Sequence, residues 1–93
     1  MAQRACACHI LVKTREQAES LLKQLNQGAE FDKLARKHST CPSGKSGGSL
    51  GEFGRKDMVK PFADAVFKGP LLKVQGPVKT QFGWHLIKTL YRQ

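Results

Sequence analysis

The chain has few acidic residues, few cysteines and no long apolar run, and each shortage excludes something. Unbroken aliphatic stretches such as Ile10 to Val12 fall far short of the roughly 20 residues needed to cross a bilayer. The first residues carry no signal-peptide apolar region, so a cytoplasmic protein with no membrane association is expected. Three cysteines are too few and too oddly placed for a disulfide framework. Cys6 and Cys8 lie on one extended segment, and reduced thiols suit the cytosol. Asp and Glu together number 7 against 16 Lys and Arg, giving +9, and no acidic residue follows Asp64. The excess base leaves an acidic partner open. The lysines are scattered, however, and not interleaved with stacking aromatics, which argues against a nucleic-acid interface.

What is present suffices for one compact domain over residues 1–93, with 40% apolar residues. Residues 4–12 alternate Ala5, Ala7, His9 and Leu11 with Cys6, Cys8, Ile10 and Val12. Both sets are fairly apolar, as in a central strand covered on two faces. Thr14 and Gln17 form a capping box before Ala18, Leu21, Leu22 and Leu25 at helical spacing, and Gly28 ends that helix. Phe31, Leu34, Ala35 and His38 give a shorter second helix, acidic at its start and basic at its end.

Pro42 to Gly51, with four glycines and three serines, reads as a loop, and Leu50 to Phe53 as a short strand. Met58, Phe62, Ala65 and Val66, with Pro61 early and Gly69 beyond, predict a third helix. Val74, Gly76 and Val78 alternate, and Pro77 confines that strand to a sheet edge. In the last strand, residues 84–91, Trp84, Leu86 and Leu90 face one way while His85, Ile87 and Tyr91 face the other. The order is βααβαββ and the class α+β.

His9 and His85 stand at strand positions whose same-face neighbours are small or apolar. If the first and last strands are neighbours, the rings meet. Together with His9-Ile-Leu-Val-Lys13, three segments carry a family likeness: Cys41-Pro-Ser-Gly-Lys-Ser-Gly-Gly-Ser-Leu-Gly-Glu-Phe53, Met58-Val-Lys-Pro-Phe62 and Thr80-Gln-Phe-Gly-Trp-His85. Over nearly its whole length the chain resembles the parvulin family, in its minimal single-domain bacterial form. The resemblance implies a four-stranded antiparallel sheet surrounded by helices, with the first and last strands adjacent at its centre. It also implies a peptidyl-prolyl cis/trans isomerase that works without metal or other cofactor.

Carried over residue by residue, the family's site gives His9, Cys41, His85 and Thr80 as the polar, catalytic members. Leu50, Met58, Phe62 and Phe82 become the seat for the proline ring, bordered by Phe53. The implied partners are proline-containing peptides and unfolded protein clients, met by a monomer. Some parvulins carry a long basic loop after the first strand that reads a phosphorylated residue before proline. Here Lys13 leads almost directly into the helix after Thr14, so phospho-specificity is not expected, despite Lys13 and Arg15.

With the roles that the resemblance implies, His9 and His85 are expected to share one N–H···N bond, with Thr80 fixing the tautomer and Cys41 near the substrate carbonyl. Charging both rings breaks that network, so activity is expected to fall between about pH 8 and 5. Three rivals use the same residues. A cysteine hydrolase would need Cys41 as thiolate and an oxyanion hole that only a generic loop could supply. A metal site from Cys6, Cys8, His9, Cys41 and His85 is opposed by strand alternation, which turns Cys6 and Cys8 away from His9. A proline-accepting peptide clamp with incidental catalysis is separated from an isomerase only by a rate.

Overall fold

The computed structural model describes residues 4–93. Strand β1 (Arg4–Val12) is followed by helices α1 (Arg15–Asn26) and α2 (Phe31–His38), then strand β2 (Ser49–Gly54) and helix α3 (Lys60–Lys68). Strands β3 (Val74–Thr80) and β4 (Gly83–Arg92) complete the order. The sheet is antiparallel in the order β2-β1-β4-β3, so β1 and β4 are central. The expected α+β class and element order hold. Among the described residues no helix is long and apolar enough to cross a membrane.

The two-sided apolarity of β1 and β4 is used by two separate cores. Ile10, Val12 and Leu86 pack with Ala18 and Leu21 of α1 and Leu34 and Ala35 of α2. On the other face Ala5, Ala7 and Ile87 meet Phe53 of β2 and Phe62 and Val66 of α3. Full burial of a side chain such as Ile10, Leu21 or Leu86 contributes roughly 1.5–3 kcal/mol. The second core does not close at the end nearest His9 and His85, and that gap becomes the site.

Local chemistry sets the element ends. Thr14 caps α1, its hydroxyl accepting from the Gln17 N–H at 3.1 Å. Pro77 lies in β3, an edge strand, where its missing donor breaks no central ladder.

Two expectations need correction. The glycine- and serine-rich segment is not all loop, because Pro42–Ser46 form a 3-10 turn and β2 begins at Ser49. Tyr91 does not share a face with His85 and Ile87. Ala7 pairs with Thr89 but Cys6 with Tyr91, so Leu90 is an extra residue in β4. Such a bulge inverts the alternation beyond it. Tyr91 therefore lies across from Cys6 and its hydroxyl bonds Glu52 at 3.0 Å, while Arg92 turns toward α3 and donates to the carbonyls of Val66 and Gly69.

Candidate active site

β1 and β4 run side by side with Leu11 opposite His85 and His9 opposite Ile87. The two histidines are therefore diagonal neighbours on the face of the second core. Their rings stack with centroids 5.2 Å apart, and the Nδ1 atoms lie 3.0 Å from each other. Such a contact requires one Nδ1 to carry a proton and the other a lone pair. Phe62 of α3 meets both rings edge-on, at 5.4 and 5.2 Å, and seals the pair from below.

The ends of the pair are tied as well. Thr80 Oγ1 is 2.7 Å from His85 Nε2 and accepts the Phe82 N–H at 3.1 Å. At the far end His9 Nε2 is 3.0 Å from Ser43 Oγ. Phe82 N–H donates to Thr80 Oγ1, and from there two directions of donation satisfy both rings: Thr80 hydroxyl to His85 Nε2, His85 Nδ1–H to His9 Nδ1 and His9 Nε2–H to Ser43, or the reverse. In both directions each imidazole is neutral.

Electrostatics support that state. His9 and His85 are only 5% and 3% exposed. Burial pushes the His9 pKa down to about 4, with proximity to His85 adding to the shift, and burial alone brings His85 to about 4. Rings with these values stay neutral at pH 5, which moves the charging of the pair, and with it the expected loss of activity, to near pH 4.

Above the rings opens a cavity of about 470 Å3. Of the eight residues expected in the site, seven line it: His9, Cys41, His85, Leu50, Met58, Phe62 and Phe82. Thr80 stands behind His85. Phe53 does not border the cavity but packs behind Phe62, ring centroids 6.3 Å apart. Cys41 is held over the opening by its neighbours. The Ser39 hydroxyl accepts from the Leu11 N–H at 3.1 Å and the Cys41 N–H at 3.4 Å, and Thr40 donates N–H to the Leu11 carbonyl at 2.8 Å. Backbone groups of Leu11 in β1 thus anchor the segment carrying the thiol.

Sequence reasoning missed Ser43, which lies inside the segment read as a loop. It also missed Val59 and Pro42 in the cavity wall. The partnership of Ser43 with His9 spans 34 positions and has no local periodicity to reveal it. Only the Cys41-Pro42-Ser43 run hints that this stretch is more than a connector.

A concave, mainly apolar cavity with a few convergent polar groups is the usual form of a ligand site. The whole described chain, residues 4–93, matches the PPIC-type PPIASE domain family, and the protein belongs to that family: it is a peptidyl-prolyl cis/trans isomerase domain of the parvulin type. Among solved structures it is similar to the Pin of the archaeon Cenarchaeum symbiosum, 46% identical, with 98% of this chain and 95% of that one covered and a TM-score of 0.84. It is also similar to the parvulin NmPin of Nitrosopumilus maritimus, 38% identical, covering 98% and 99%, with a TM-score of 0.86. Among curated proteins it is 47% identical over 83 residues to the foldase protein PrsA of a Geobacillus species. That match covers 88% of this chain and 30% of the relative; the chain thus spans under a third of that protein's length.

Proposed function

We propose that the cavity seats the proline of unfolded or partly folded protein clients and speeds rotation about the preceding bond, without requiring a phosphate on the substrate. The observation that carries this reading is the cavity's asymmetry, aliphatic and aromatic along Leu50, Met58, Phe62 and Phe82, with its polar groups confined to the histidine pair, Thr40, Cys41 and Asp57.

The chemistry asks for such a site. Resonance gives the peptide bond double-bond character and a barrier of about 18–20 kcal/mol, and X-Pro bonds exchange over roughly tens to hundreds of seconds. Acceleration to milliseconds requires about 6–7 kcal/mol, at ~1.36 kcal/mol per tenfold. The planar ground state is charge-separated and stabilised by water on its carbonyl oxygen. The twisted transition state has lost much of that polarity, so a dry pocket favours it. Phe62 and Phe82 grip the ring, and Met58, flexible and polarizable, accommodates both isomers. His9 and His85, held by Thr80 and Ser43, form a wall of fixed polarity beside the rotating carbonyl. Cys41 adjoins that carbonyl and forms no covalent bond, because rotation transfers no group.

The lack of phosphate dependence is supported by the connection after β1, where Lys13 and Thr14 alone separate strand from helix. Arg15 is engaged elsewhere, paired with Glu19 at 2.8 Å and lying over the Trp84 ring. A monomer working in the cytoplasm is the setting we assign, supported by three free cysteines that suit a reducing compartment.

The test is line-broadening exchange between the cis and trans forms of an Ala-Leu-Pro peptide with catalytic amounts of protein, for wild type, His9→Ala, Cys41→Ala and His85→Ala. Acceleration by wild type, retained largely in Cys41→Ala and reduced about tenfold or more in the histidine variants, is expected. Binding without acceleration would leave a peptide clamp in place of an isomerase.

A further inference from the structure

Beyond Cys41 the proline cavity runs on into a second depression of about 360 Å3. The two share Thr40, Cys41 and Pro42, so one extended peptide can lie across both. Their chemistry differs. The second depression has Arg36, from the last turn of α2, and Lys45, from the 3-10 turn after Cys41.

Both cations are exposed, and among the described residues neither takes part in an ion pair. Five other basic side chains do: Arg4, Arg15, Lys33, Arg55 and Lys68. Asp32, one turn before Arg36, makes no ion pair with it. The acid of the groove, Asp57, lines the first cavity and not the second, and its carboxylate already accepts the Gly54 N–H at 2.8 Å. Nothing in the second depression neutralises its charge.

We propose that Arg36 and Lys45 form a cationic subsite that receives a carboxylate side chain two or three residues N-terminal to the substrate proline. The assignment rests on the isomerase site described above. With the proline ring at Met58, Phe62 and Phe82 and the preceding carbonyl at Cys41, the chain runs back over Thr40 and Pro42. An extended peptide advances about 3.3 Å per residue, so a long acidic side chain there has the reach to meet both cations. This gives the chain's excess base a local use and selects clients with an acidic residue ahead of an apolar-proline pair. It differs in place from a phosphate loop after β1, since neither cation comes from that connection.

The experiment compares three peptides, Xaa-Ala-Leu-Pro-Phe with Xaa as Glu, Gln or Lys, by cis/trans exchange and by chemical-shift titration. Wild type is expected to favour Glu over Gln over Lys, with an overall spread of roughly three- to tenfold, the size that two exposed charge contacts supply. The spread should shrink toward unity in about 0.5 M salt, where screening acts over a few ångströms. It should also collapse in Arg36→Gln/Lys45→Gln and persist in Lys23→Gln/Lys73→Gln, which lose the same net charge elsewhere on the surface. An undiminished spread in the first double variant, or an equal loss in both, overturns the subsite. Failure to accelerate any peptide strikes instead at the isomerase reading, and the shift titrations still report whether a carboxylate is preferred.

Discussion

Thr80 shows how much of the site depends on one hydroxyl. It accepts from the Phe82 backbone and lies 2.7 Å from His85 Nε2, so it links the turn before β4 to the histidine pair. Thr80→Val keeps the shape and removes both contacts. An unpartnered buried polar group costs about 1–3 kcal/mol, and urea unfolding should register a loss of that size. The same variant should lose the protected imidazole N–H signal of wild type and slow isomerisation severalfold, whereas Thr80→Ser should recover both. Rescue of stability without the N–H signal would show that Thr80 only packs. The pairing of His9 with His85 was readable from two strand positions with apolar neighbours. Ser43 was not, because no local pattern ties a serine in a 3-10 turn to a strand histidine 34 residues away.

At the scale of elements, the positions of the helices and strands were legible because each carries its own signals. Thr14 and Gln17 announce α1, and Pro61 and Gly69 bracket α3. The bulge at Leu90 was not legible, since an even apolar alternation continues through Tyr91 in sequence while the pairing shifts by one. Nor was the reason for Gly48. It sits at φ +88, its carbonyl accepts the His9 N–H at 2.9 Å, and a Cβ there would meet the His9 carbonyl oxygen at 2.5 Å and Ala35 at 3.2 Å. Gly51 has a similar φ of +69 but open space around it. The two separate backbone strain from collision. Gly51→Ala should cost about 1–2 kcal/mol, the left-handed penalty alone. Gly48→Ala adds a clash against backbone and should cost upward of about 3 kcal/mol, with accompanying shifts in the His9 resonances. Equal costs would mean that the contact between Gly48 and β1 is not tight.

For the whole molecule, the buried histidines make stability depend on pH. Their folded pKa values of about 4 lie below the ordinary 6.5, so between these values the unfolded chain binds more protons than the folded one. Stability then rises with pH through that window. It is fully present above about pH 6.5 and declines as the pH falls toward 4, by on the order of 3 kcal/mol for each ring whose shift is realised. Denaturant midpoints measured from pH 8 to 4 should be level and then fall below about 6.5. A double variant His9→Leu/His85→Leu should lack that particular slope. A wild-type midpoint that is level down to pH 4 would mean that the rings are not held neutral by the fold.

The central claim is that an apolar pocket and a neutral histidine pair accelerate rotation without thiolate chemistry. The pH profile of the exchange rate for a Leu-Pro peptide tests it most directly. With fold integrity followed in the same samples, the rate should be nearly constant from pH 8 to about 5 and fall around pH 4 as the pair takes up a proton. A rate that halves near pH 6.5, or one that climbs steadily as the pH rises above 8, would contradict it.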